Sequence, residues 1–129
     1  MMDQINSELA RQKILSGEYP SKIIQGRQRK HIVGSQEFKQ NRTKMQHGKF
    51  ISEPAILDTD AAYLVERYKG TGSIFFHPSS IFPREIVDTT EVVGRTRVKS
   101  QKRYADTRRI MIIYSSGGTH VVPISDYER

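Results

Sequence analysis

The sequence of 129 residues contains no cysteine, which excludes disulfide bonds, thiolate zinc sites and cysteine nucleophiles together. It also lacks any apolar run close to the roughly 20 residues that a membrane-spanning helix needs. The polar residues 1–6 lack the apolar core of a signal peptide, so we expect a soluble chain without an export signal of its own. Any chemistry must therefore use histidine, lysine, arginine, tyrosine, serine, threonine or carboxylates.

Acidic residues are few relative to basic ones, with 14 Asp and Glu against 21 Lys and Arg, and the net charge is +7. A surface with this charge attracts polyanions, which include nucleic acid, an anionic membrane surface and an acidic partner protein. The length and the hydrophobic share of 36% predict a single domain over residues 1–129 with one modest core.

Helical patterns predominate in the first part of the chain. In residues 3–16 apolar side chains recur near helical spacing, and Gly17 follows where a helix would end. Proline and glycine interrupt residues 18–38, which predicts that Lys30 and His31 lie on a loop or a single helical turn. Polar side chains on such a segment can reach a cleft.

The middle of the chain contains one featureless segment and one clear helix. The run 39–49 is almost wholly polar and basic, and it predicts an exposed loop or a solvated helix. Asp58 or Asp60 is placed to cap a helix whose apolar stripe runs up to Gly70, the expected C-terminal stop. Capping also explains these two aspartates without a metal ion.

Strand patterns follow in the second half. Pro78 ends a short apolar strand at 73–77, and residues 81–86 are predicted to be a proline-interrupted connection. Helices followed by a run of strands predict an α+β domain with an antiparallel sheet. The remaining strands are predicted at 91–99, 108–115 and 119–124.

The last two strands are joined by Ser-Ser-Gly-Gly, which is typical of a β-hairpin. Side chains alternate between the faces of a strand, so an even loop places His120 with Ser115 and places Thr119 with Tyr114 and Arg108. Because one face must cover the core, only one set can meet a substrate, unless a bulge at the glycines mixes the sets. Both alternatives stay open, and we favour Tyr114, Thr119 and Arg108 as phosphate contacts, with His120 at the rim.

Three segments carry a resemblance to a known family: residues 26–32 (GRQRKHI), 68–72 (YKGTG) and 107–123. Together they resemble the bacterial toxin 50 family, a group of small RNase domains at the ends of bacterial and phage polymorphic toxins. The resemblance implies N-terminal helices packed on a small, strongly twisted antiparallel sheet, in the barnase/EndoU/colicin/RelE arrangement. It implies an RNase that needs no metal or other cofactor, acts on RNA such as tRNA, and is inhibited by an acidic immunity protein. It also implies delivery as the C-terminal part of a larger secreted or phage protein, with action in the cytoplasm of the target or producing bacterial cell.

Cleavage of RNA without a metal needs a base for the 2'-hydroxyl, an acid for the leaving 5'-oxygen and cations for the phosphorane. Histidine suits the first two roles, because its unperturbed pKa of about 6.5 allows either protonation state near neutrality. A lone histidine in a small domain is more often structural than catalytic, and the resemblance is what makes His31, beside Lys30, and His120 candidates. His47 and His77 are expected to be solvated or structural.

A basic row on the predicted strand 91–99 offers candidates for RNA binding. Strand alternation places Arg95, Arg97 and Lys99 on one face, where they could follow a phosphate backbone. A solvated sheet face is the commoner reason for such a row. Tyr104 lies in a polar segment that we predict to be a long hairpin loop, and its ring is available to stack on a base.

Two other functions fit the same sequence. A non-catalytic RNA-binding module would use the basic row and leave both histidines structural. A phage structural or host-interaction domain would use its basic surface to bind an acidic protein. A turnover assay separates the ribonuclease from both alternatives.

Overall fold

The N-terminal part of the chain is helical. In this computed structural model, which describes residues 2–46, 54–98 and 103–126, helix α1 spans Met2–Ser16. It ends because Gly17 adopts a φ of 85°, a left-handed conformation that glycine accepts without strain. The predicted first helix is therefore confirmed.

A short helical segment follows and carries two candidate residues. Helix α2 (Gln25–Gln28) continues directly into a 3-10 turn (Arg29–His31), so of the loop or single helical turn predicted for Lys30 and His31 the structure shows the helical turn. Helix α3 spans Gln36–Gln46, and most of its side chains between 36 and 43 are at least partly exposed. Of the exposed loop or solvated helix predicted for 39–49, the structure shows a helix as far as residue 46, with side chains at least partly exposed from 39 to 43, while His47 lies outside the described residues.

Helix α4 (Ala61–Tyr68) begins at Asp60, whose carboxylate accepts a hydrogen bond of 3.1 Å from the backbone N–H of Tyr63. Asp58 does not cap this helix, because its carboxylate is paired with Arg95. The apolar stripe of α4 is buried, as its spacing predicted. The helix is followed by Gly70, with a φ of 79°.

The strands form two antiparallel sheets, which confirms the α+β class, although we had expected one sheet. The four-stranded sheet has the order β2-β3-β6-β7 and the three-stranded sheet the order β1-β4-β5. In chain order the strands are β1 (Ile56–Leu57), β2 (Ser73–Phe76), β3 (Pro83–Asp88), β4 (Gly94–Val98), β5 (Arg103–Thr107), β6 (Arg109–Ser115) and β7 (Gly118–Ile124).

Two segments that we had predicted to be connections are strands. The prediction for 81–86 is wrong, since β3 begins at Pro83 and lies between β2 and β6. Proline is tolerated there because it is the first residue of the strand. The predicted long loop around Tyr104 is also wrong in its second half, because β5 pairs with β4 from Arg103 onward. Residues 99–102 lie outside the described residues.

The core lies on one face of the four-stranded sheet. Ile110, Ile112 and Tyr114 of β6 face it, and Ile14 of α1 and Leu64 of α4 pack against the same cluster. The N-terminal helices therefore pack on the sheet as expected. Since the core covers only one face, the side chains that alternate with these three on β6 point away from α1 and α4.

Candidate functional site

The register of the β6–β7 hairpin determines which polar residues share a face. Tyr114 pairs with Thr119 and Ser115 with Gly118, which leaves a loop of two residues. The loop is even, so Ser115 and His120 share one face while Tyr114 and Thr119 share the other, without a bulge. This is the alternation that the sequence predicted.

Burial shows that the face of Tyr114 and Thr119 is the covered one, with 2% and 0% of these residues exposed. The Thr119 hydroxyl donates to the carbonyl of Pro20 at 2.7 Å, and the Tyr114 hydroxyl donates to the Glu85 carboxylate at 2.6 Å. Burial and the Glu85 charge raise the pKa of Tyr114, so its hydroxyl stays protonated.

Arg108 does not join that pair. It precedes β6, at the end of the strand opposite the hairpin loop, and its side chain is exposed. The structure therefore contradicts our expectation that Tyr114, Thr119 and Arg108 share a face open to a substrate, because two of them lie in the core and the third lies at the far end of the strand.

The opposite face of the sheet opens into a cleft with a volume of about 770 Å³. Cross-strand pairing places Arg84 beside Ile113 and Ile113 beside His120, so these three side chains form a row across β3, β6 and β7. Lys30 and His31 line the same cleft from the 3-10 turn. Ser115 also lines it, and its hydroxyl donates to the carbonyl of Gly118 at 2.7 Å.

The 3-10 turn is held beside His120 by contacts to the outer edge of β7. Residues 22–24 run parallel to this edge and make two backbone hydrogen bonds with Thr119, of 2.8 and 2.9 Å. The side chain of Gln28, 1% exposed, then bonds both backbone groups of Val121, donating at 2.9 Å and accepting at 2.7 Å. The helical segment is therefore fixed to the strand at the residue after His120.

We predict that Gln28→Leu destabilises the protein by about 2–4 kcal/mol, because the N–H and C=O of Val121 lose their partners in a buried site. Urea unfolding measures this change. Gln25→Leu is the matched control, since Gln25 lies in the same helix with its side chain exposed. Equal midpoints for the two variants would contradict the prediction.

The hydrogen bond of His31 fixes its tautomer. Nδ1 lies 2.9 Å from the carbonyl oxygen of Ala55, which can only accept, so Nδ1 carries the proton and Nε2 is free to titrate. Burial lowers the pKa of His31 and the neighbouring Lys30 lowers it further, while the hydrogen bond to Ala55 opposes both effects.

His120 is harder to protonate. Burial lowers its pKa to about 4, and the positive charges of His31, Arg27, Arg84 and Lys30 act in the same direction. Within the described part of the chain, its Nδ1 is buried and has no hydrogen-bond partner. The free protein therefore holds a neutral imidazole at neutral pH, in surroundings suited to an anion.

Sequence reasoning missed Arg84 as a site residue. Its Nε is buried, and no group in the described ranges hydrogen-bonds to it. Arg84 was missed because Pro83 suggested a connection instead of a strand. The β-branched residues Ile86 and Val87 did indicate a strand. Arg84 and Glu85 just before them are both polar, however, and this breaks the expected alternation of polar and apolar residues.

The predicted RNA-binding row lies apart from this cleft, on the three-stranded sheet. Arg95 and Arg97 share a face of β4, as the alternation predicted. Arg95 makes two hydrogen bonds of 2.9 Å to Asp58, which raise its pKa, and Arg97 lies 5.9 Å from the centre of the Tyr104 ring. Lys99 lies outside the described residues. None of the described members of the row lines the cleft.

Comparison with known proteins assigns the chain to a family. The sequence model of the family named bacterial toxin 50 matches residues 23–123, which include every titratable residue of the cleft, and the chain belongs to this family. No curated protein and no solved structure gave a significant match. In the ranges 2–46, 54–98 and 103–126 no helix has both the length and the apolar character needed to cross a membrane.

Proposed function

We propose that this toxin domain is an endoribonuclease that cleaves RNA without a metal ion, by attack of a 2'-hydroxyl that leaves a 2',3'-cyclic phosphate. The observation that supports this most strongly is the pairing of His31 and His120 in one cleft lined with cations. Both pKa values are lowered by burial, and His31 also lowers the pKa of His120, which indicates two imidazoles near each other in partly desolvated surroundings.

His120 is the better general base. With a pKa of about 4 it stays neutral across the physiological range and can take the proton of the 2'-hydroxyl. His31 is the better general acid, because the Ala55 carbonyl accepts from Nδ1 and thereby stabilises the imidazolium. In this assignment Nε2 of His31 donates its proton to the leaving 5'-oxygen.

The negative charge of the phosphorane needs positive partners. Arg84 supplies a guanidinium whose Nε has no partner in the described residues, and Arg27 and Lys30 add exposed cations at the same cleft. Arginine binds phosphate oxygens through paired N–H groups, which suits the position of Arg84 in the same row as His120, with Ile113 between them. The Ser115 hydroxyl donates its proton to the Gly118 carbonyl, so towards a substrate it can only accept a hydrogen bond.

The proposed partners follow from the toxin family and from charge. RNA is the substrate, with tRNA one candidate, and an acidic immunity protein would inhibit by covering the cationic cleft. Delivery as the C-terminal part of a larger secreted or phage protein, and action in a bacterial cytoplasm, belong to the same proposal.

The test is incubation of the purified protein with total RNA in excess EDTA, followed by analysis of the product ends. We expect RNA fragments with 2',3'-cyclic phosphate, and no cleavage of DNA because it lacks the attacking hydroxyl. Cleavage that disappears in EDTA would refute the metal-independent mechanism. RNA that is bound but never cleaved would favour the non-catalytic module that uses Arg95 and Arg97.

A further inference from the structure

One end of the cleft is aromatic. Phe82 lines it next to the β6–β7 loop, two residues before Arg84, and its ring is half-buried. Phe82 lies in the bend just before β3, and Arg84 lines the same cleft from the strand itself. The cleft is thus lined by an apolar ring and a guanidinium, two groups suited to a base and its phosphate in one ligand.

The ring of Phe82 is held in place before any ligand arrives. Tyr19 packs edge-on against it, with ring centres 6.0 Å apart at 89°, and Tyr19 in turn lies 6.5 Å from the core residue Tyr114. The backbone N–H of Phe82 donates to the Ser80 hydroxyl at 3.1 Å, which fixes the approach to the strand. A ring that is anchored on one side and open on the other loses little entropy on binding.

We infer that Phe82 forms a nucleobase subsite, in which its ring stacks on one base flanking the phosphate that Arg84 and the histidines bind. This inference rests on the proposed ribonuclease function for the identity of the ligand. Stacking on an aromatic ring tolerates every base, so the subsite would favour unpaired RNA over a particular sequence.

The test measures binding, not cleavage, so it does not depend on turnover. The probes are 2'-O-methyl RNA dinucleotides, which carry one phosphate and no attacking hydroxyl, with both bases or with either base replaced by an abasic site. NMR titration gives the dissociation constant of each probe. For the wild-type protein we expect removal of one of the two bases to weaken binding about tenfold, and removal of the other to have a smaller effect.

Phe82→Leu keeps an apolar side chain against Tyr19 but cannot stack. We expect it to bind the intact dinucleotide about tenfold more weakly and to be insensitive to removal of the same base. Phe82→Tyr should bind as the wild type does. Ile81→Ala is the neighbouring control, since Ile81 is 82% exposed and lies outside the cleft.

Two results would overturn the subsite. One is equal binding of intact and abasic dinucleotides by the wild type, and the other is an unchanged penalty for base removal in Phe82→Leu. A protein that distinguishes the probes through Phe82 but does not cleave RNA would keep the subsite and refute the proposed catalysis, so the two failures can be told apart.

Discussion

Replacing His120 with alanine should lower kcat/KM for RNA by two to four orders of magnitude, because the 2'-hydroxyl then loses its general base. His31→Ala should have an effect of the same order through the loss of the general acid. The double variant should lose little more than the worse single variant, because base and acid act together in one transition state. Single-turnover cleavage of a short RNA measures all three.

His77→Ala is the matched control for these variants. The ring of His77 bonds to the Ser79 hydroxyl at 2.6 Å and does not line the cleft, so its removal should leave cleavage unchanged. Wild-type rates in both His31→Ala and His120→Ala would refute a histidine mechanism even if the protein degrades RNA.

The pH dependence assigns the roles. A base must be deprotonated, so kcat/KM should rise with pH through the pKa of His120, near 4. An acid must be protonated, so kcat/KM should fall as pH rises through the pKa of His31, which lies below 6.5. The optimum is therefore acidic, and His120→Ala should remove the rising limb while His31→Ala removes the falling limb. Because His31 acts on the pKa of His120, the midpoints of the two limbs are apparent pKa values of the histidine pair.

Folding must be checked over the same pH range. Both histidines have folded-state pKa values below the 6.5 of an unfolded chain, so between about pH 4 and 6.5 the unfolded state binds more protons. Stability from this source is present above pH 6.5 and is lost as the pH falls towards 4. Circular dichroism at each pH separates loss of catalysis from loss of structure.

The hairpin shows how far the sequence could predict the site. Strand alternation correctly separated Ser115 and His120 from Tyr114 and Thr119, because alternation is a local property of the backbone. Which face is covered depends on where α1 and α4 pack, and these helices are distant in sequence. The local sequence pattern contains no information about that packing, so we favoured the face of Tyr114 and Thr119, which is the covered one.

Gln28 and Glu85 were missed for a related reason. Both are buried polar side chains, at 1% and 0% exposure, and polar residues normally predict an exposed position. Their partners are backbone groups or side chains far along the chain, such as Val121 for Gln28 and Tyr114 for Glu85. Glu85 also made β3 hard to predict, because it interrupts the alternation of polar and apolar residues that would have indicated a strand carrying Arg84.

The second large effect concerns that glutamate. Glu85 accepts hydrogen bonds from the backbone N–H groups of Gly70 and Gly72, at 2.9 and 2.6 Å, and from the Tyr114 hydroxyl at 2.6 Å. Arg11 bonds the carbonyl oxygens of the same two glycines, so both sides of this loop are bound. One carboxylate therefore joins the loop after α4 to strands β3 and β6.

Glu85→Ala should destabilise the protein by at least about 4 kcal/mol. Three donors lose a charged acceptor, each such bond contributes about 1.5–3 kcal/mol, and the vacated site is too buried for water to replace them all. Since a domain of this kind is stable by only about 5–15 kcal/mol, much of the protein should unfold at modest urea concentrations. Urea titration followed by circular dichroism measures the change.

Two further variants separate the contributions of this network. Tyr114→Phe removes one donor and leaves the carboxylate on the loop, so it should cost only about 1–2 kcal/mol. Glu91→Ala is the control, because Glu91 is exposed and its loss should change stability by less than about 0.5 kcal/mol. If Glu85→Ala unfolded at the same urea concentration as Glu91→Ala, the carboxylate would not be what holds the loop to the sheet. Because β3 also carries Arg84 on its opposite face, loss of the Glu85 contacts should weaken RNA cleavage as well, through displacement of that guanidinium.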